Sequence, residues 1–208
     1  SIGNFPTFRC AEQIRNDVDY HKLPVTIVNV GAGVSYGNLG YSHHSLQDYS
    51  LMRAMPNTLI MSPGNGEELI SSIKYVIKNP QPSYLRLAKS RSLKIKYKIN
   101  TTPGKWICNY KKNKNKTFVT TGGCSTQMQI LMKKKKYKDY SFYSLPLWGM
   151  RSKKKQIEQI KKFKKITVLE DHLQDGGFGS WLNETINEKK LKTKIESKYF
   201  LTEIVGKV

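Results

Sequence analysis

The apolar run Pro24–Val30 (PVTIVNV) stops at Gly31-Ala32-Gly33 and passes into Gly37-Asn38-Leu39-Gly40-Tyr41-Ser42-His43-His44-Ser45-Leu46-Gln47-Asp48. A short apolar run closed by glycines reads as a buried strand that empties into a glycine-rich loop just ahead of a helix. No other segment constrains the fold as much. In open α/β sheets, ligands bind in the crevice beyond the carboxyl ends of the strands. Imidazole exchanges protons near neutral pH, so His43 and His44 make this loop a candidate active-site edge. Spacing alone would not carry that reading, since a histidine in a surface loop is more often solvated or structural.

The segments around the loop alternate between the two periodicities. Ser1–Phe8 reads as the end of a strand and a loop. A helix follows with Ala11, Ile14 and Val18 on one face, then a strand over Val25–Val30. After the loop come a helix over Leu46–Ala54, a strand over Thr58–Met61, a helix over Glu67–Lys78 and a strand over Ser83–Leu87. Such alternation argues for a mostly parallel sheet covered by helices. Ser90–Pro103 lacks a core-forming pattern and reads as a linker. Beyond it a second α/β unit is expected. Trp106–Tyr110 and Lys116–Thr120 read as a hairpin split by a lysine-asparagine turn. A helix over Ser125–Met132, a strand over Tyr140–Leu145, a helix over Lys153–Lys162 and a strand over Ile166–Leu169 come next. Gly176-Gly177-Phe178-Gly179-Ser180 then opens a helix to about Glu188, and a last strand covers Ile195–Phe200. The expected fold is therefore two consecutive α/β domains with mostly parallel sheets, over residues 1–89 and 104–208, joined by residues 90–103.

Composition narrows the class. With 208 residues, 38% of them hydrophobic and 11% aromatic, the chain has the means to build real cores. No apolar run is long enough to cross a bilayer and no signal-peptide pattern opens the chain, so no membrane role is expected. Cys10, Cys108 and Cys124 are spaced for neither a zinc site nor a disulfide framework, which suits a cytoplasmic location. The net charge of +21 raises the question of nucleic acid. The lysines, however, gather in Lys111–Lys116, Lys133–Lys136, Lys153–Lys155 and Lys161-Lys162, at expected loops and helix ends. They outnumber arginine, and no aromatic stacking platform accompanies them. A solvated lysine surface is the simpler reading, with no nucleic-acid partner expected. Its field would still help to gather anionic sugar phosphates.

The histidine loop continues into Leu51-Met52-Arg53-Ala54-Met55-Pro56-Asn57, a strand, and Pro63-Gly64-Asn65-Gly66-Glu67-Glu68. Over about forty collinear residues this passage resembles the transketolase family of thiamine-diphosphate enzymes. Their pyrimidine-binding domain carries a G-x-T-H-Q loop, a helix ending L-R-x-x-P-N, a strand, and a P-x-x-x-x-E helix start. The second half resembles the transketolase C-terminal domain through Thr121-Gly122, Glu170-Asp171-His172 and Gly176-Gly177-Phe178-Gly179-Ser180. Glycines at a helix start could cradle a phosphate. In this family that turn chiefly supports packing, and His172 is read as structural or at a cleft rim.

The resemblance implies a catalytic role for His43, as the histidine that hydrogen-bonds the substrate oxygen and relays a proton. His44 stands where the family usually has Gln and is a weaker catalytic candidate. Phe5 and Phe8 match aromatic residues that pack around the cofactor's pyrimidine ring, with plain core packing as the competing reading. Lys89 falls where transketolases place an arginine that holds the sugar phosphate, and Arg86 is its neighbouring alternative. Arg53 is read as structural. No metal ligand is expected in this chain, although the implied cofactor is thiamine diphosphate with Mg²⁺.

The departures shape the expectation further. Leu39 replaces a loop acid that contacts substrate hydroxyls, and Gly31 stands where transketolases use a histidine. No G-D-G…N motif for diphosphate and metal is found, and the activating glutamate would fall before Ser1. The resemblance therefore implies the C-terminal section of a longer enzyme, or a split subunit, that transfers a two-carbon ketol unit between sugars. Its pathway could be surface-polysaccharide sugar synthesis. The expected partner is a diphosphate-binding domain or subunit, in a homodimer or heterotetramer, with the isolated chain inactive and unable to bind the cofactor tightly. The competing readings are a section of a 1-deoxyxylulose-5-phosphate synthase-like enzyme, a 2-oxoacid dehydrogenase β subunit, and, without catalysis, a scaffold or a basic RNA-binding module.

Overall fold

The structure, a computed structural model, describes residues 1–89, 98–112 and 116–205. Two short helices open it: α1 (Asn4–Arg9) and α2 (Ala11–Gln13), which runs on into a π-helical stretch, Ile14–Asp19. Strand β1 (Thr26–Val30) leads through the histidine loop to α3 (Asp48–Met52), β2 (Leu59–Met61), α4 (Gly66–Lys78) and β3 (Ser83–Leu87). The second half contains β4 (Ile107–Tyr110), β5 (Lys116–Thr120), α5 (Cys124–Leu131), β6 (Ser141–Ser144) and β7 (Leu147–Trp148). A 3₁₀ stretch, Met150–Gln156, then enters α6 (Ile157–Ile160), followed by β8 (Lys165–Leu173), α7 (Phe178–Glu188) and β9 (Lys194–Phe200).

The first sheet has the order β1-β3-β2-β7. β1 and β2 both run parallel to β3, with Thr26 and Leu59 each opposite Ser83. Its longest helix starts as the local sequence dictates. At α4, the Asn65 side chain accepts from the Glu68 N–H at 2.9 Å, acidic Glu67 and Glu68 occupy the first turn, and Lys78 lies in the last. Those charges oppose the helix dipole at each end. β7 is an addition the sequence did not announce. Two residues from the second half pair antiparallel with β2, Ile60 opposite Trp148, and extend the first sheet.

The second sheet has the order β4-β6-β5-β8-β9, parallel except for β4. The expected hairpin of Trp106–Tyr110 with Lys116–Thr120 is not formed. β4 pairs antiparallel with β6 instead, while β5 is held between β6 and β8. Residues 117–120 are all buried, so β5 is a central strand with both edges taken, and its chain neighbour is displaced one place outward. Of the lysine-asparagine turn, residues 113–115 lie outside the described residues, as do residues 90–97 of the expected linker.

The start of the chain also differs from expectation. Ile2 does bridge to Val30 in parallel, as the end of a strand would, but the next residues form α1 rather than a loop. One apolar cluster spans both sheets. Tyr49, Met52, Ile60 and Tyr84 from the first half join Trp148, Val168, Phe178, Trp181 and Leu182 from the second. No described helix is long and apolar enough to cross a membrane.

Candidate functional site

The site begins where β1 and β3 end side by side. The N–H groups of Gly31 and Ala32 both donate to the Leu87 carbonyl, at 2.9 and 3.2 Å, and turn the chain off the sheet. Gly31 has φ +84°, and a Cβ there would lie 2.3 Å from the Tyr36 ring, so only glycine allows this turn. Gly33 and Ser45 exchange backbone hydrogen bonds at 3.2 and 2.8 Å and close the loop at its base. Between them, two 3₁₀ turns, Gly37–Leu39 and Tyr41–His43, flank Gly40. The loop that carries the histidines is thus a stapled projection at the carboxyl edge of the sheet.

His43 is half-buried at the tip of the second turn. Its ring meets Phe5 edge-on, with centroids 5.4 Å apart and planes at 88°, and its Nδ1 lies 3.0 Å from the Ser42 hydroxyl. The Asn4 amide donates to the Ser42 carbonyl at 3.4 Å, which draws α1 to the loop. Phe5, itself half-buried, carries Arg9 over its ring at 5.1 Å. Phe8, one turn on, faces outward at 48% exposure, and Leu39 and Tyr41 are similarly exposed along the rim. The structure therefore brings His43 and Phe5 together and leaves Phe8 on the open face beside them. Lys89 is exposed just past β3, with its ammonium 5.6 Å from the ring of Tyr36.

His44 has a different placement. It is 1% exposed, and its Nε2 lies 3.3 Å from the Gly37 carbonyl within the same loop. That contact braces the loop and turns the imidazole inward, away from solvent. The candidate catalytic role of His44 has no support in this geometry.

Arg86 requires a correction. It is 1% exposed, and its guanidinium is consumed by the junction between the two halves. Nε donates to Asp48 at 2.6 Å, Nη1 to Asp171 at 2.6 Å, and Nη2 to the Ser45 carbonyl at 2.8 Å. The Tyr84 hydroxyl donates to the same Asp48 carboxylate at 2.6 Å. Burial opposes the Arg86 charge, but Asp171 and Asp48 outweigh it and hold the pKa well above its ordinary value. With no face left for a sugar phosphate, Arg86 ties β3 and α3 to β8. Sequence reading missed Asp48 and Asp171, although an arginine inside an apolar strand run was a signal that buried acids must lie nearby.

His172 is fully buried and stacked on Tyr49 at 5.1 Å, so it is not at a cleft rim. Burial holds its pKa below the ordinary histidine value. The phosphate-cradle reading of the 176–180 turn fails for a simple reason: the chain fills that cradle itself. The Glu170 carboxylate accepts from the N–H groups of Phe178 and Gly179 at 2.6 and 3.1 Å, at the start of α7. A Cβ on Gly177 would lie 2.4 Å from Glu170 Oε2, so the glycines exist to let that carboxylate approach. Arg53 pairs with Glu184 on α7, a tie between the halves. Among the described residues, no group of three or more His, Cys, Asp or Glu is arranged to hold a metal ion.

Residues 2–93 match the family model of the transketolase pyrimidine-binding domain. The chain is 29% identical over 203 residues to the 1-deoxy-D-xylulose-5-phosphate synthase of Halothermothrix orenii, covering 92% of this chain and 31% of that protein. It is 28% identical to the putative transketolase C-terminal section of Methanocaldococcus jannaschii, covering 94% of this chain and 62% of that one. Over 86 residues it is 34% identical to one of the subunits of the apulose-4-phosphate transketolase of Phocaeicola vulgatus, or 41% of this chain and 28% of that protein. A solved split gene transketolase, described as an inactive beta4 tetramer, superposes with a TM-score of 0.78 at 22% identity. That match covers 95% of this chain and 64% of the other, and it sets the fold. The chain thus spans less than two thirds of each of these proteins.

Proposed function

We propose that this chain, whose residues 2–93 match the transketolase pyrimidine-binding domain, supplies the pyrimidine side and His43 to a thiamine-diphosphate-dependent enzyme that moves a two-carbon ketol unit between sugars. Residues 1–89 would be the pyrimidine-binding unit, 90–103 the linker and 104–208 the C-terminal unit. The observation that carries the proposal is the pairing of His43 with Phe5 at the carboxyl edge of the first sheet. An imidazole beside a half-buried aromatic ring suits one end of the cofactor, where a flat heterocycle must pack and a proton must move.

The other end of the cofactor finds no such fit. With no acidic metal-binding group among the described residues, the diphosphate and its Mg²⁺ are assigned to a separate domain or subunit. When bound, thiamine diphosphate would supply the carbanion chemistry. This chain would enclose the ring with Phe5 and Phe8, hold the substrate oxygen with His43, and offer the Lys89 ammonium to a sugar phosphate. The exposed apolar rim of Phe8, Leu39 and Tyr41 suits the covering partner, in a homodimer or heterotetramer of cytoplasmic carbohydrate metabolism. A second reading, a section of a 1-deoxyxylulose-5-phosphate synthase-like enzyme, is favoured by the relative matched over 92% of the chain.

The test is calorimetric titration of the isolated chain with thiamine diphosphate and Mg²⁺, repeated after adding the co-purifying diphosphate-domain partner. No binding alone and binding with turnover in the complex is the expected result. Saturable micromolar binding by the chain alone would refute the division of labour. In the complex, His43→Ala should lower kcat/KM by about 10²–10⁴-fold with an unchanged melting temperature. Unchanged kinetics would remove His43 from the mechanism.

A further inference from the structure

The second sheet leaves part of one face open, with Thr167 and Leu169 only half-buried. Along β8, Ile166 and Val168 join Trp181, Leu182 and Ile186 of α7 in the main core. Lys165, Thr167 and Leu169 alternate with them and so point to the opposite face. On that face α5 packs across β5 and β8, where Met128, Leu131 and Met132 join Phe118, Phe142 and Leu169 in one cluster. Beyond α5, toward β8 and β9, lies a cavity of about 400 Å³, whose lining includes Met128, Thr167, Leu169 and Glu196.

Two features of the lining select a ligand. The first is charge. Lys116, Lys136, Lys165 and Lys198 all border the cavity, and Glu196 is the one carboxylate among its described lining residues. Glu196 is already held by Lys165 at 2.6 Å and Lys198 at 2.5 Å, which keeps its pKa down at about 2. The cavity therefore keeps a surplus of cations. The second is a wall of three rings. Phe118 and Tyr140 stack at 4.8 Å, and Tyr137 meets both edge-on at 5.6 Å. Tyr137 and Tyr140 remain half-exposed, and the Lys136 and Lys116 ammonium groups lie 5.6 and 5.7 Å from their rings. The aromatic platform that the lysine runs lacked in sequence is assembled here by folding.

We infer that this groove is a binding site for a nucleoside phosphate, with the heterocycle in the corner formed by Tyr137 and Tyr140, face-on to one ring and edge-on to the other, and the phosphates on Lys116, Lys136 and Lys198. A flat ring with an anionic tail matches both features at once, whereas a sugar phosphate alone would leave the aromatic wall unused. A lysine serves here as a point charge toward phosphate, and a base stacked on a ring gains affinity without sequence readout. The site faces away from α7 and is independent of the proposed His43 chemistry.

Titration calorimetry of the folded 208-residue chain at physiological salt tests it, using ATP, ADP, adenosine, tripolyphosphate and an oligouridylate. ATP or ADP should bind saturably with a Kd on the order of 10–100 µM, and adenosine and tripolyphosphate each at least about tenfold more weakly. Lys116→Ala/Lys198→Ala, both at exposed positions, should weaken nucleotide binding about tenfold or more with the same circular dichroism and melting temperature. Tyr140→Ala should weaken ATP but leave tripolyphosphate unchanged, and the control Lys78→Ala/Lys154→Ala should leave both unchanged. The inference is overturned by equal affinity for tripolyphosphate and ATP, by binding of the oligonucleotide alone, by insensitivity to the Lys116/Lys198 pair, or by no binding at all.

Discussion

At the scale of single residues, the chain uses ionisable groups in two opposite ways. His43 is half-buried at the tip of its loop, held against Phe5. Glu170 is buried, and burial raises its carboxyl to about 8 even though two backbone N–H groups favour its ionised form. The sign of its effect on stability follows. Between its ordinary pKa of 4.5 and about 8, the folded state holds a proton that the unfolded chain has released. Stability therefore falls as pH rises through that window. Glu68, raised by burial as well, adds to the same slope. His172, whose lowered pKa acts with the opposite sign below its ordinary 6.5, offsets part of this at the acid end. Melting temperature should therefore drop chiefly between about pH 6.5 and pH 8, and Glu170→Gln, which resembles the protonated acid, should flatten that drop. Thermal melts across the range check this, and an unchanged slope in the variant would contradict it.

At the scale of elements, what counts is how β3, α3 and β8 are joined. Arg86 reaches Asp48 on α3 and Asp171 on β8 from a fully buried position. Removing one member of such a cluster leaves its partners charged, buried and unpaired. Arg86→Met should destabilise the chain by about 3–5 kcal/mol, while Asp48→Asn/Arg86→Met together should cost less than the sum of the two single changes. Urea melts of the three variants decide the matter, and additive costs would mean the pair acts independently. Among the elements, His43 and its loop were legible in the sequence because a turn of this kind depends on local chemistry: glycines, a strand end, a helix start. The junction was not legible. Asp48 and Asp171 lie 38 and 85 residues from Arg86 in sequence, and nothing local says which acids it meets.

For the whole molecule, the two sheets do not behave as separate bodies. β7 leaves the second half to pair with β2, and Trp148 on it packs against Tyr49, Phe178 and Trp181 at 5.0–5.2 Å. A core shared in this way predicts one cooperative unfolding transition, with near- and far-ultraviolet circular dichroism melting together. Two resolved transitions would contradict it. Trp148→Ala, at a position with no solvent exposure, should cost about 3–5 kcal/mol and loosen both halves at once. Hydrogen exchange on β2 and α7 would report that shared loss.

The sequence by itself determined the alternation of strands and helices, the loop bearing His43, and the likeness to a transketolase pyrimidine-binding domain, because periodicity, glycine punctuation and short motifs are written within a few residues of one another. Only the tertiary structure decided that β4 pairs with β6 rather than β5, that β7 crosses to the first sheet, and that Arg86 is a buried tie instead of a ligand for sugar phosphate. It alone also brought Lys116, Tyr140, Lys165 and Lys198 to one groove. These outcomes depend on which edges are already taken and which charges burial forces together, and both are settled only when segments far apart in the chain compete for the same space.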